Sequence, residues 1–503
     1  MGRLGVGLLL LLAILFAAPA YRRLNLARPV VVSLTAASDI LDPHLHNETV
    51  LWSLLANFYE GLTAFDRELQ VVPALAEEWE RLDEHLTRFR LRSGVRFHDG
   101  VLVTPTDVKA SLDRARTHPR SGVSHHLVDV EEVLTDGLDT VVVRTSGPAA
   151  TLANRLTLVS IVPERLAEME EIREPVGTGP YRFVRRSGDG TVLARAVKGR
   201  PPRPPVRSVH FRFGGTLEER MALLTGGGAD VVTRLPDGWV REVERHPEIR
   251  VLQQPRLSVQ FLAVVPSAAP EPVAKWLSDR RVRRAFLMGL NRREMVDRGY
   301  LGSGTVASQF VHPVVFGYDS NLTAAPFDPE EAHRLLRNAG PLPEIELVLG
   351  HGDVTPVVIE LIVKNLAALG VRIRPVQLHF SELLERAHNN ELPLVLFASA
   401  ATTGDASEFL NVTLATSRAQ AGWGCENFFG YANPEVDRML ELAEAEADVE
   451  VRRGILQEVQ RLAMEDVPLL PLTIRYGHMA VSSRIDFSPR YDQWLLASEF
   501  RWR

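Results

Sequence analysis

IELVLGHGDVTPVVIELIVKNLAALGVRIRPVQL, residues Ile345–Leu378, reads as one strand–helix–strand unit. Ile345 to Leu349 is a short apolar run suited to a strand, and Pro356 to Leu369 carries helical periodicity with Pro at its first turn. Gly370 ends the helix, and Val371 to Leu378 gives a second strand. Two strands joined through a helix must run parallel, so this unit predicts an α/β sheet covered on both faces.

Outward from it the same grammar continues. Ser381 to Asn389 is a further helix and Leu394 to Ala398 a further strand. Pro434 to Met464 gives two helices around Asp448, and Leu469 to Leu472 and Ile485 to Phe487 are extended. Toward the N-terminus, Val30 to Leu34 is a strand, Thr49 to Tyr59 a helix and Pro73 to Trp79 a short helix. Phe89 to Phe97 reads as a hairpin broken at Ser93-Gly94. Thr106 then caps a helix opening at Asp107. Val130 to Arg144 is a hairpin around Asp136-Gly137, and the runs near Phe183 and at Val192 to Val197 pair. Pro201 to Pro205 is a stiff connector to a strand at Val209 to Phe213. Leu217 to Leu224 is a helix stopped by Gly226 to Gly228, before a strand at Ala229 to Val232.

The totals narrow the class. The chain has 503 residues, 45% hydrophobic and 24% charged, the balance of a soluble globular protein. Its length allows about three domains of ~150 residues. A net charge of −6 leaves no basic footprint for nucleic acid. The single cysteine, Cys425, excludes an internal disulfide and a thiolate-based zinc site. Leu4 to Ala20 is apolar, follows Arg3 and ends Ala18-Pro19-Ala20, the order of a secretory signal cleaved near Ala20. An uncleaved anchor is the alternative, given Arg22, Arg23 and Arg28 just after it. No cysteine follows the run, so a lipoprotein is excluded, and the body is expected outside the cytoplasm.

Chemistry is sparse. Gly350-His351-Gly352 lacks the third glycine and the acidic partner of a dinucleotide site. The pairs His44/His46 and His125/His126 come without an H-E-x-x-H spacing, and no G-x-S-x-G elbow occurs, so neither a metal site nor a catalytic residue is assigned. Trp423, Phe428, Phe429 and Tyr431 form an aromatic cluster that suits local core or a ligand cleft. Leu396 to Asn411 is a strand running into a polar loop, the favoured place for ligands in an α/β lobe.

Taken in order, ILDPH at Ile40, YEGL at Tyr59, PALAEEW at Pro73, FRLRSGVRFHDG at Phe89, DVKASL at Asp107 and VGTGPYRF at Val176 make a pattern. VRRAF at Val282, FDPEEAHRLLRNAG at Phe327, LGVRI at Leu369 and YANPEVDRMLELA at Tyr431 extend it. The chain resembles the bacterial extracellular solute-binding proteins of family 5, the oligopeptide- and dipeptide-binding proteins of ABC importers. The resemblance implies a two-lobed periplasmic-binding-protein fold of type II, cluster C, with an extra inserted domain. Lobe I would comprise 29–59, 173–262 and 481–503, the insert 60–172, and lobe II 263–480. It also implies a periplasmic, monomeric, non-enzymatic protein without cofactor, whose partners are a peptide or peptide-like ligand and a membrane permease. A non-peptide solute such as a sugar or metal chelate, a membrane-anchored sensor domain and a divergent exported hydrolase are the alternatives.

In peptide-binding relatives the ligand backbone pairs with a strand, and an Asp in the next loop holds its free amino group. Here Thr402 stands at that Asp, Ala398-Ser399 replaces a Gly-Trp pair, and Val264-Val265-Pro266 replaces a usual Asn. The ligand-binding residues implied are Thr49, Ser124, His125, His126, Ala398, Ser399, Ala400, Thr402, Asp405, Trp423 and Asn427, with Asp405 as the substitute carboxylate.

Overall fold

The computed structural model describes residues 28–35, 38–199, 202–337, 344–349, 354–418 and 422–503. The signal-like segment, Pro201 of the connector and the Gly350–Gly352 turn lie outside the described residues.

Among the described residues, eleven strands make one mixed sheet. From one edge its order is Ile373–Gln377, Ile345–Leu349, Leu394–Ser399, Ile249–Val264, Leu469–Ser482, Val231–Val232, Val30–Leu34, Ser208–Phe213, Val192–Ala196 and Tyr181–Arg186. Gly304–Val306 is added on Leu469–Ser482. The strand–helix–strand unit is present, with Ile345–Leu349 parallel to both Ile373–Gln377 and Leu394–Ser399. Val30–Leu34 is parallel to both its neighbours.

At the centre lies an antiparallel pair, Ile249–Val264 with Leu469–Ser482. Its ladder runs from Ile249↔Ser482 to Pro255↔Tyr476, breaks, and resumes at Val259↔Ile474. Beyond the break the first strand is buried on both faces. Val259, Phe261 and Ala263 join a core with Phe310 and Phe409, while Leu262 and Val264 join another with Phe286, Leu361 and Leu366. That double burial explains the run Val259–Val264, which has no polar alternation except Gln260. On the other side of the break, Val30, Val32, Phe211, Val481 and Phe500 share a separate core.

A second sheet, Ala76–Arg81, Leu86–Leu91, Thr140–Thr145 and Val130–Asp136 in that order, packs under the helix Pro105–Thr117. Three local expectations change here. The helix expected at Pro73–Trp79 is two strands, Val71–Pro73 and Ala76–Arg81. Ala and Glu favour helix locally, but pairing to Leu86–Leu91 and burial of Ala76 and Phe89 outweigh that small preference. The hairpin expected within Phe89–Phe97 is absent, because Leu86–Leu91 pairs with Ala76–Arg81 and Thr140–Thr145 instead. The cap is Thr104, not Thr106: Asp107 N donates to its hydroxyl, the Asp107 carboxylate accepts from Thr104 N, and Pro105 takes the first turn. The first helix also stops early, spanning Thr49–Leu55.

The quoted motifs meet where this second sheet joins the first. Arg114 donates to both oxygens of Asp42 at 3.0 and 2.6 Å, and its Nη1 also donates to His44 Nδ1 at 2.9 Å. Asp42 accepts from His44 N and Ile172 N as well. Burial alone would raise the Asp42 carboxyl, but Arg114 outweighs it and holds the group below its ordinary value. Nearby, Gly177 and Gly179 pass against the Asn57–Phe58 backbone, where any Cβ would stand within 2.5 Å of main-chain atoms. His98 locks that turn: its Nε2 donates to Gly179 O and its Nδ1 accepts from Gly177 N.

Arg114→Met leaves Asp42 buried without its partner and should destabilise the protein by about 3–5 kcal/mol in urea titrations. Burial holds the His44 ring neutral, its value lowered to about 4, with Nε2 donating to Ser160 O. The unfolded chain therefore binds a proton between pH 6.5 and 4 that the native state refuses. Stability from His44 is whole above about pH 6.5 and falls by roughly 2–3 kcal/mol by pH 4.5. Urea midpoints at pH 7 and 4.5 should drop further in the native protein than in His44→Gln.

Candidate functional site

A cleft of about 270 Å³ opens where the central ladder breaks. Arg256, Leu257 and Ser258, the residues between the two registers, line it, as do Gly477 to Met479 of the partner strand. The helix Thr49–Leu55 contributes Thr49, Trp52 and Ser53. Thr233 and Arg234 enter after Val231–Val232, Ala400 and Thr402 after Leu394–Ser399, and Asp492 to Leu495 from the C-terminal segment. That segment is fixed by Asn57, which donates to Leu495 O and accepts from Ala497 N, and by Ser53 Oγ, which accepts from Leu495 N. Trp52, Phe65, Leu158 and Trp494 also wall a second cavity of about 250 Å³.

Among the described residues, Phe397–Ser399 has a strand on one side only. Val259–Phe261 pairs with it, whereas Ile345–Leu349 pairs no further than Leu396. Its other edge has no strand among the described residues.

Of the expected ligand residues, Thr49, Ala400 and Thr402 line the cleft. Ala398 and Ser399 lie on the strand that leads to it. The others lie elsewhere. Asp405 is buried, with both oxygens on Arg452 at 2.6 and 2.9 Å and Ser407 N donating at 3.0 Å. It closes a buried ion pair and is not an open carboxylate. Ser124, His125 and His126 form a 3-10 turn, with the His126 ring 6.1 Å from Trp52, behind the cleft wall. Asn427 ties a turn, donating to Ala415 O and Tyr431 O. Trp423 lies beneath Arg418, and Phe428 meets Phe397 edge-on, so the aromatic cluster packs as core and lines no part of this cleft.

The loop carrying Thr402 is internally bonded. Thr402 Oγ donates to Glu408 at 2.7 Å, and Thr403 N and Oγ donate to the other oxygen at 2.7 and 2.9 Å. Burial raises the Glu408 carboxyl above its ordinary value, against these bonds. Asn154 of the second sheet's connection donates to Thr403 O at 2.9 Å, which fixes the loop from outside.

Sequence reasoning missed Trp52, Arg234, Gln254, Arg256 and Trp494. Their segments are brought together only by sheet order, and no local pattern marks them. Among the described residues, two of the six non-glycine residues with positive φ, Arg234 at 53° and Gln493 at 63°, line the cleft. Such backbone tends to gather at ligand sites, but it is invisible in sequence.

A two-lobed α/β chain with a solute-sized cleft between strand ends has the architecture of a periplasmic binding protein. The family model for bacterial extracellular solute-binding proteins, family 5 (middle region), matches residues 70–421, and the chain belongs to that family. It is similar to heme-binding protein A of Haemophilus influenzae, 25% identical over 86% of this chain and 83% of that one. It is also similar to di/tripeptide-binding protein 2 of Pseudomonas aeruginosa, 28% identical over 92% of both. The solved structure of HbpA2 from Haemophilus parasuis superposes with a TM-score of 0.83 at 22% identity, over 95% of this chain and 100% of that one.

Asp405→Asn leaves Arg452 buried without its countercharge and should destabilise by about 3–5 kcal/mol. Ligand affinity of the folded fraction, read by calorimetry, should stay within about threefold, well below the loss of a direct charge contact.

Proposed function

We propose that this protein is the exported solute-binding component of an ABC importer, which captures a small peptide or peptide-like solute in the cleft and delivers it to a membrane permease. The observation that carries this reading is the edge of Phe397–Ser399, which leads to the cleft and has no strand partner among the described residues. An extended ligand backbone adds to such an edge as a further strand, with hydrogen bonds that do not depend on side chains. Heme and di- or tripeptides, which name two relatives, differ too much for either to transfer by likeness alone.

The mechanism is capture without bond making. Lobe I, at 29–59, 173–262 and 481–503, supplies Thr49, Trp52 and Arg234. Lobe II, at 263–480, supplies Ala400 and Thr402, and the insert at 60–172 braces the first lobe. A ligand touching both lobes stabilises only the closed arrangement, so it shifts an existing equilibrium toward the form a permease receives. The register break at Pro255–Val259, a few residues before the boundary between the lobes, is the place for that hinge, since Val259, Phe261 and Leu262 already pack with the second lobe. No helix among the described residues is long and apolar enough to cross a membrane. Export is assigned to the N-terminal run on its order of Arg3, apolar stretch and Ala18-Pro19-Ala20, with cleavage near Ala20, and the working protein is assigned to the periplasm as a monomer.

Calorimetry of the exported protein against a peptide library should give saturable binding of one ligand per chain. Trp52 and Trp494 fluorescence should change in step with it. Saturable binding of sugars or metal chelates, with none of any peptide, would overturn the peptide reading.

A further inference from the structure

The charge lining the cleft is lopsided. Its charged or titratable side chains are Arg234, Arg256, His478 and Asp492. Asp492 is buried, and both its oxygens accept from Arg490, at 3.0 Å from Nε and 2.6 Å from Nη2. His478 Nδ1 faces Asp237 at 3.1 Å. Neither is open to a solute.

The two arginines differ. Arg256 lies across Gly477, where a Cβ would stand 3.0 Å from its Nε, so the glycine makes the groove in which the guanidinium rests. Further contacts hold it there. Arg234 is exposed on the cleft wall, set by left-handed backbone, and has no ion pair among the described residues. Opposite them, the Thr402 loop has no carboxylate to offer, since Asp405 belongs to Arg452 and Glu408 to the two threonines.

We infer that the solute is recognised through a carboxylate held by Arg234, with Arg256 beside it, and that a free amino group is not required. The inference rests on the proposed role of this cleft as the solute site. A guanidinium matches a carboxylate with two parallel N–H donors, and the pair strengthens as closure removes water. An ammonium would meet like charge and no open acidic partner, a costly burial.

The test uses the exported protein at low salt, followed by calorimetry and tryptophan fluorescence. The probes are each binding peptide in free, N-acetylated and C-amidated forms, non-peptide di- and tricarboxylates, and neutral sugars. Acetylation should change affinity by less than about threefold, and amidation should weaken it at least about tenfold, the scale of a lost charge-assisted bond. Arg234→Gln should reproduce the amidation loss for free peptides and leave amidated ones unchanged, with thermal unfolding unaltered. Gly477→Ala, which displaces the Arg256 guanidinium, should weaken carboxylate ligands in the same direction. Peptides that bind whether or not the carboxylate is blocked, or that lose binding on acetylation, would overturn the inference and leave the peptide role standing. Non-peptide carboxylates that bind in an Arg234-dependent way, with peptides inert, would do the reverse. Binding of neutral solutes alone, or of none of these probes, would overturn both.

Discussion

The pairing of Ile249–Val264 with Leu469–Ser482 is the constraint on which the molecule turns. Both strands run from one half of the sheet into the other, so each half is covalently continuous with its opposite. A uniform ladder would make one rigid plate. The break between Pro255 and Val259 interrupts it beside Leu257, which packs in the core of Phe261 and Phe310, and leaves Arg256 and Ser258 outside the regular register. The same break turns Arg256, Leu257 and Ser258 toward the cleft. The irregular ladder and this part of the cleft wall thus have one origin.

A second, rigid joint complements it. Asp42, His44 and Arg114 make a buried network in which a guanidinium is shared between a carboxylate and a neutral imidazole. Gly177, Gly179 and His98 close the same seam from the other side. The four-stranded sheet is therefore fastened to the Val30–Leu34 half at a place designed by close approach and burial, not by surface charge. Its core, around Phe89, Val108 and Val141, is its own.

These two joints explain what was legible in the sequence. ILDPH, FHDG and VGTGPY stand out because burial and backbone contact allow few alternatives there, and they define the family while saying nothing of the ligand. The strand–helix–strand unit at Ile345–Gln377 and the helices Pro434–Ala445 and Val449–Asp466 were readable from periodicity and caps alone. Ala76–Arg81 was not, since its strand state is imposed by partners outside the segment. Leu469–Ser482 read only in its first four residues, because Arg475, Tyr476 and Gly477 interrupt the apolar run. The site was the least legible part. Thr402 and Thr49 were found by position, whereas Arg234, Arg256 and Trp494 come from three distant segments. Asp405 showed the opposite failure: an acidic residue at a suggestive position whose charge is neutralised by Arg452, a partner that spacing cannot reveal.

The central pair also governs the order in which the chain takes shape. Its two strands are separated by the whole of residues 265–468, and Val231–Val232 on the near side must pair with the later one. Neither half of the main sheet is complete until the final stretch of the chain has been made and has returned to the middle. Contacts of such sequence separation form slowly, because the intervening chain must be ordered before the pairing rewards it. A nascent copy therefore remains without its central ladder throughout most of its synthesis.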